Sequence, residues 1–299
     1  MSFPKVPEML DSESAKAPLS LRYEDLTQDG QIKLTSLLQA VGSTGFAQVW
    51  VKHPLLATFS QGILPILTRL VIHTEAAPTL LGATLQAQGG MQTAREENAE
   101  GEVQALLLNM FAEVHGPLGR SFGPQPEGAG KRVRLARVFA EHTFTKPFAP
   151  AGQRKVLSFD IPGQPAIPEA LHTRKLLPEL LAPEAGDEPL DHEFMPDEAP
   201  WVFGMVHTDH NQHVNSLVYA SLFENTALRR LADHGIDTRL HAASIELVYR
   251  KPCFAGERVI CHVRAFTRDG EPGAIGYVAP LGARAERAHC ALRLSFRRD

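Results

Sequence analysis

The residues best suited to chemistry lie in one run: Asp209-His210-Asn211-Gln212-His213-Val214-Asn215-Ser216-Leu217-Val218-Tyr219. A carboxylate, an amide and an imidazole alternate there, just before a pattern that reads as a helix. In an extended approach, the two-residue period of a strand puts Asp209, Asn211 and His213 on one side. They would meet at the helix N-terminus, where backbone N–H groups lack partners and the dipole is positive. Such donors can hold an oxygen that becomes negative during attack on a carbonyl. A carboxylate can activate water or attack directly. An imidazole can orient water or move protons near neutral pH. An asparagine amide positions partners without titrating. This set suits a thioester carbonyl.

The same residues have plainer readings. Asp209 and Asn215 are common loop and cap residues, and Tyr219 suits a helix–sheet core with its hydroxyl bonded. His207, Asp209, His210 and His213 are zinc-type ligands, but an extended segment would turn His210 away from the others, so no metal is expected. No cofactor is expected either.

The elements that must position these groups recur in the two halves. In the first, a short strand at Leu21–Tyr23 precedes a helix over about 33–46, where Leu34, Leu37, Leu38 and Val41 keep helical spacing. Strands follow at 67–73, 80–95, 103–114 and 133–144. In the second, a strand at 201–208 precedes a helix over about 215–234, capped by Asn215 or Ser216 and stopped at Gly235. Strands follow at 243–250, 257–266, 274–278 and 288–296. A single helix against a sheet of long antiparallel strands, present twice, is an α+β architecture. The reading is a polar tail over 1–19, a first domain over 20–146, a proline-rich connection over 147–199 and a second domain over 200–299. A short helix is expected near 169–181.

The run at 209–219 resembles the Asp-x-Asn-x-His-Val-Asn-Asn-x-x-Tyr motif of the hotdog-fold acyl-carrier-protein thioesterases of plants and bacteria. It is also similar to the looser motif of the 4-hydroxybenzoyl-CoA thioesterase group. Asp209, Asn211, His213, Val214, Asn215 and Tyr219 match, and Ser216 replaces the second Asn. Glu224 matches an acidic position on that helix. The stretch Ile245 to Val259 also looks like the family, with Cys253 near a cysteine of the plant members. Pro252 stands where those members carry a glutamate thought to serve in catalysis, and Glu246 is the nearest substitute.

The resemblance implies two tandem hotdog domains, each a long antiparallel sheet wrapped around one central helix. It implies hydrolysis of an acyl thioester of acyl carrier protein or coenzyme A, in fatty acid or polyketide biosynthesis. Asp209 would be general base or nucleophile, with Asn211, His213 and helix N–H groups. Asn215, Tyr219, Glu224, Glu246 and Cys253 are further catalytic or supporting candidates. The first-half segment Asp25 to Lys33 has neither His nor Asn, so that domain is expected to lack the catalytic set. Two other roles stay open. Hotdog hydratases and dehydratases resemble Asp-x-Asn-Pro-x-His, where this chain has Gln212 for Pro. A non-catalytic acyl-thioester binder of a biosynthetic pathway is the third.

Bulk composition agrees with such a protein. The 299 residues suit two cores, and a formal net charge of −4 gives no global pull toward nucleic acid. Arg229-Arg230 and Arg250-Lys251 can meet an acidic carrier or coenzyme A phosphates, or be a solvated face. Three cysteines without a CxxC pair read as reduced thiols. There is no signal-peptide pattern and no span-length apolar run, so a cytoplasmic chain is expected, as a monomer or homodimer.

Overall fold

The computed structural model describes residues 2–161 and 166–298; Pro162 and Pro165 of the connection lie outside them. The chain forms two compact units, Ser2–Arg174 and Lys175–Asp299. The division falls inside the proline-rich stretch.

In the first unit the strands are β1 (Ser14–Leu19), β2 (Leu64–Thr74), β3 (Leu85–Glu97), β4 (Val103–Pro117) and β5 (Arg132–Thr145). They form one antiparallel sheet in the order β1-β3-β4-β5-β2. The residues at 14–19, expected as part of a polar tail, are instead its edge strand. Ala17 and Leu19 point into the core while their neighbours are exposed. Pro18 is tolerated because an edge strand need not use every donor. The strand expected at Leu21–Tyr23 is replaced by a 3-10 turn at Tyr23–Asp25, closed by Arg22 against the Asp25 carboxylate.

The helix expected over 33–46 is present as a longer, irregular helical run. A 3-10 turn (Leu34–Ser36) leads into α1 (Leu38–Val41), which opens into a π-helix at Gly42–Val49. Ser43 and Thr44 both donate their hydroxyls to the Ala40 carbonyl. Such back-bonding competes with the helical ladder, and Gly42 and Gly45 are weak helix formers. Gly45 also lets the run approach the sheet, since a Cβ there would sit 3.2 Å from Met110 Sδ.

The second unit begins with α2 (Leu177–Leu181), shorter than the helix expected over 169–181. Three two-residue strands follow, β6 (Glu188–Pro189), β7 (Met195–Pro196) and β8 (Trp201–Val202). The strand expected over 201–208 is cut to β8 because the chain turns at Gly204 into a 3-10 turn, Met205–His207. Then come α3 (Ser216–Asp233), β9 (His241–Tyr249), β10 (Arg258–Arg268), β11 (Glu271–Pro280) and β12 (Cys290–Arg297). The sheet runs β9-β12-β11-β10, and β6, β7 and β8 pair with β10.

α3 follows the sequence closely. Asn215 caps it by accepting the Leu217 N–H at 2.9 Å, and Gly235 leaves it at φ 73°. Its buried residues Tyr219, Phe223, Ala227 and Leu231 recur every four positions. Full burial of Phe223 or Leu231 contributes about 1.5–3 kcal/mol each. The sheet receives this face at Gly276, where a Cβ would lie 2.7 Å from Phe223. α2 packs on the opposite face, where Leu177 and Leu180 meet Val248, Tyr277 and Ala291. Among the described residues, no helix is long and apolar enough to cross a membrane.

Candidate active site

The run from Met205 to Asn215 is a closed turn, not an extended approach. Thr208 and Val214 form an antiparallel bridge. The Asp209 N–H donates to the His213 carbonyl at 3.2 Å, and the Gln212 N–H to the Asp209 carbonyl at 2.9 Å. Gln212 takes φ 65°, a left-handed conformation that costs a side-chain-bearing residue about 1–2 kcal/mol. The expected two-residue alternation of Asp209, Asn211 and His213 is therefore lost, because three residues of the run are spent reversing the chain.

The turn gathers the side chains differently. Asp209 Oδ1 accepts the Asn211 backbone N–H, and Asp209 Oδ2 accepts the Asn215 side-chain Nδ2, both at 2.9 Å. The link to Asp209 thus comes from the Asn211 backbone, while Asn211 itself is exposed. The half-buried His213 places Nδ1 at 3.1 Å from the Val214 carbonyl. A proton on Nδ1 would satisfy that carbonyl and leave a lone pair on Nε2. Most N–H groups expected as oxyanion donors are committed: Val214 to the Cys253 carbonyl, Asn215 to His207, Leu217 and Val218 to Asn215. Among the described residues, the Ser216 N–H is the first-turn donor with no protein acceptor.

The first unit contains the same turn at a constant offset along the chain. Thr27 N–H donates to Gln31, Gly30 N–H to Thr27, and Lys33 N–H to Asp25, matching the bonds of Asp209, Gln212 and Asn215. Leu26 bridges Ile32 as Thr208 bridges Val214. Thr27, Asp29 and Gln31 stand at the places of Asp209, Asn211 and His213, so one backbone device carries the Asp/Asn/His set in the second unit alone.

The other candidates divide. Tyr219 is buried, and its hydroxyl accepts the Cys253 N–H at 2.9 Å; burial raises its pKa. Cys253 is fully buried, and burial pushes its thiol up to about 12, so the bare sulfur is a poor nucleophile. Glu224 is half-buried on α3. Glu246 cannot replace the missing carboxylate. It shares the face of β9 that carries Val248 toward α2, whereas Tyr249 reaches the start of α3 by donating to the Ser216 carbonyl. Glu246 is buried and paired with Lys175 at 3.0 Å. Arg229 is paired with Asp197, and Arg230 with Asp191. Arg250 donates to the Glu286 carbonyl, and Lys251 is exposed.

The four residues considered for zinc do not form a ligand set. His207 Nδ1 accepts the Gly204 N–H at 2.9 Å. Among the described residues, the set of ligand atoms close enough for a metal is Cys253, Glu257 and His289. Sequence reasoning missed Glu257 and His289; the Gly256-Glu257 turn after Cys253 was the available signal.

Comparison with solved structures places this architecture. A protein assigned as an oleoyl thioesterase from Lactobacillus plantarum superposes with TM-score 0.61 at 13% identity, over 96% of this chain and 97% of its own. A 12:0-ACP thioesterase from Umbellularia californica gives 0.59 at 12% identity, over 95% and 94%. An acyl-ACP thioesterase from Bacteroides thetaiotaomicron gives 0.57 at 13%, over 95% and 98%. This chain has the double-hotdog fold. At these identities the likeness is one of fold. No protein-family model matches the sequence, and no curated protein matches it. Within the double hotdog, each central helix is preceded by the turn described above, and the second unit's turn alone carries the Asp/Asn/His set.

Proposed function

We propose that this double-hotdog chain hydrolyses an acyl thioester at the turn before α3. The observation that carries the reading is Asp209: a carboxylate held at both oxygens, in one of two matched turns, beside the N-terminus of the unit's long helix. The fold shared with named thioesterases supports it. Asp209 takes a proton from water as the water oxygen bonds to the thioester carbon. His213 Nε2 orients that water. The Ser216 N–H and the positive end of α3 stabilise the oxygen that becomes negative. The carbon–sulfur bond then breaks, and the proton passes to the departing thiolate. The products are a free acid and a thiol. Acyl carrier protein and coenzyme A thioesters are the proposed substrate class, met in the cytoplasm.

A second reading is favoured by one observation. Glu246 faces away from α3 and so does not stand in for the glutamate that the resembled family carries at the place of Pro252. A non-catalytic acyl-thioester binder would need no such carboxylate. A thiol-release screen over acyl-CoA and acyl-ACP of graded chain length separates the two. Hydrolysis predicts release that falls about 100- to 1000-fold in Asp209→Asn. Retention of acyl carrier without release from any substrate sinks the hydrolase reading, as does undiminished release in the variant.

A further inference from the structure

The cluster Cys253–Glu257–His289 is not used by the proposed hydrolysis. It brings together three different kinds of metal ligand, two from one connection of the second unit and one from another. Cys253 lies in the β9–β10 connection, Glu257 just before β10, and His289 just before β12. One ligand atom from each lies within 4.8 Å of the other two.

The backbone fixes all three. The Cys253 N–H is held by the Tyr219 hydroxyl, and its carbonyl takes the Val214 N–H. His289 donates its N–H to Val278 at 2.7 Å and accepts from Arg250 and Lys251 at 2.8 and 3.2 Å. The Glu257 turn is pinned to Phe203 by bonds in both directions, at 3.1 and 2.7 Å. A preset backbone lowers the ordering cost of binding a ligand. His289 is 4% exposed, with its ring held beside the backbone of Lys251 and Pro252. Glu257, 39% exposed at its side chain, gives the cluster an opening to solvent.

We infer that Cys253, Glu257 and His289 form a site for one divalent transition-metal ion of the zinc class. A thiolate, an imidazole and a carboxylate are the ligand types zinc and cobalt select, and three protein ligands leave a fourth position for water. Tetrahedral bonds of about 2.0–2.3 Å put ligand atoms about 3.3–3.8 Å apart. The Glu257 and His289 atoms already lie at 3.9 Å. Glu257 also faces the Cys253 thiol, so closing the cluster onto an ion requires small side-chain shifts of Cys253 and His289 toward each other. Binding replaces the S–H bond of Cys253 with a sulfur–metal bond and releases one proton, with no change of oxidation state. The ion would tie the β9–β10 connection to the start of β12.

The test uses the full chain, stripped with chelator and titrated with Co2+. One equivalent should produce a near-ultraviolet thiolate-to-cobalt charge-transfer band, and Zn2+ should displace it. Cys253→Ser should lose the band. Glu257→Gln and His289→Gln should weaken Co2+ binding about tenfold or more. A folded wild-type chain without the band overturns the proposal, and so does a band that survives in Cys253→Ser. If circular dichroism shows that Cys253→Ser does not fold, Glu257→Gln decides: unchanged Co2+ affinity in that variant overturns the site.

Discussion

Asn215 holds Asp209 with one end of its amide and caps α3 with the other: Nδ2 donates to Asp209 Oδ2, and Oδ1 accepts the Leu217 N–H, both at 2.9 Å. One side chain thereby fixes the carboxylate relative to the helix terminus. Asn215→Asp keeps the capping acceptor but turns the donor into a second acceptor. It should leave helix content unchanged while thiol release falls about 10- to 100-fold. Asn215→Ala loses both roles and should also cost about 1 kcal/mol in urea unfolding. Wild-type turnover in Asn215→Asp would remove Asn215 from the positioning of Asp209.

Gln212 sits at φ 65°, where its equivalent in the first unit, Gly30, sits at φ 80°. Glycine adopts this conformation without steric cost, and glutamine does not. Gln212→Gly should therefore raise the unfolding free energy by about 0.5–1 kcal/mol net, seen as a higher urea midpoint, because glycine's greater freedom in the unfolded chain cancels part of the gain. A lower midpoint would show that the glutamine side chain compensates its backbone.

How far the fold could be read depended on how local its causes were. α3 was readable in full, because cap, periodic core face and terminating Gly235 all lie within the segment. β1 was not, since its buried residues are just Ala17 and Leu19, and its identity depends on pairing with β3, far along the chain. The helical run after Leu34 shows a helical period, but hydroxyl back-bonding at Ser43 and Thr44 decides its class. The motif residues were readable; their geometry was not, because a left-handed Gln212 is set by the turn as a whole. Strand parity did hold one correction: Glu246 and Tyr249 are three positions apart on β9, hence on opposite faces. The meeting of Cys253 with His289 could not be read, since it depends on β9–β12 pairing.

Gly276 lets α3 pack tightly on its sheet. A Cβ there would lie 2.0 Å from the His262 carbonyl oxygen and 2.7 Å from Phe223. The first contact is with backbone, so no side-chain rotation relieves it. Gly276→Ala should destabilise the chain by about 2 kcal/mol or more, with thermal unfolding as the measure. Gly235→Ala, in open space at φ 73°, isolates the backbone penalty and should cost about 1 kcal/mol.

Acid should unfold the second unit through a particular cluster. Glu184 and Asp187 pair with Arg268 and the buried Arg293. Burial works against their charge, but the positive groups around them, Arg293 and Arg268 for both and Lys175 for Glu184, contribute to outweighing it, and the Glu184 pKa falls from 4.5 to about 2. A carboxyl with a depressed folded pKa stabilises the fold above its unfolded value and loses that contribution as pH falls through the folded value. Stability should therefore decline between about pH 4.5 and pH 2. Glu184→Gln should be less stable than wild type at pH 7 and lose less on acidification, so the two urea midpoints converge near pH 2. Parallel acid profiles would show that Glu184 carries no net proton linkage, and that the acid sensitivity of this unit resides in Asp187 or in Asp191, which Arg230 and the Ala265 N–H hold below the usual carboxylate range against the opposing effect of burial.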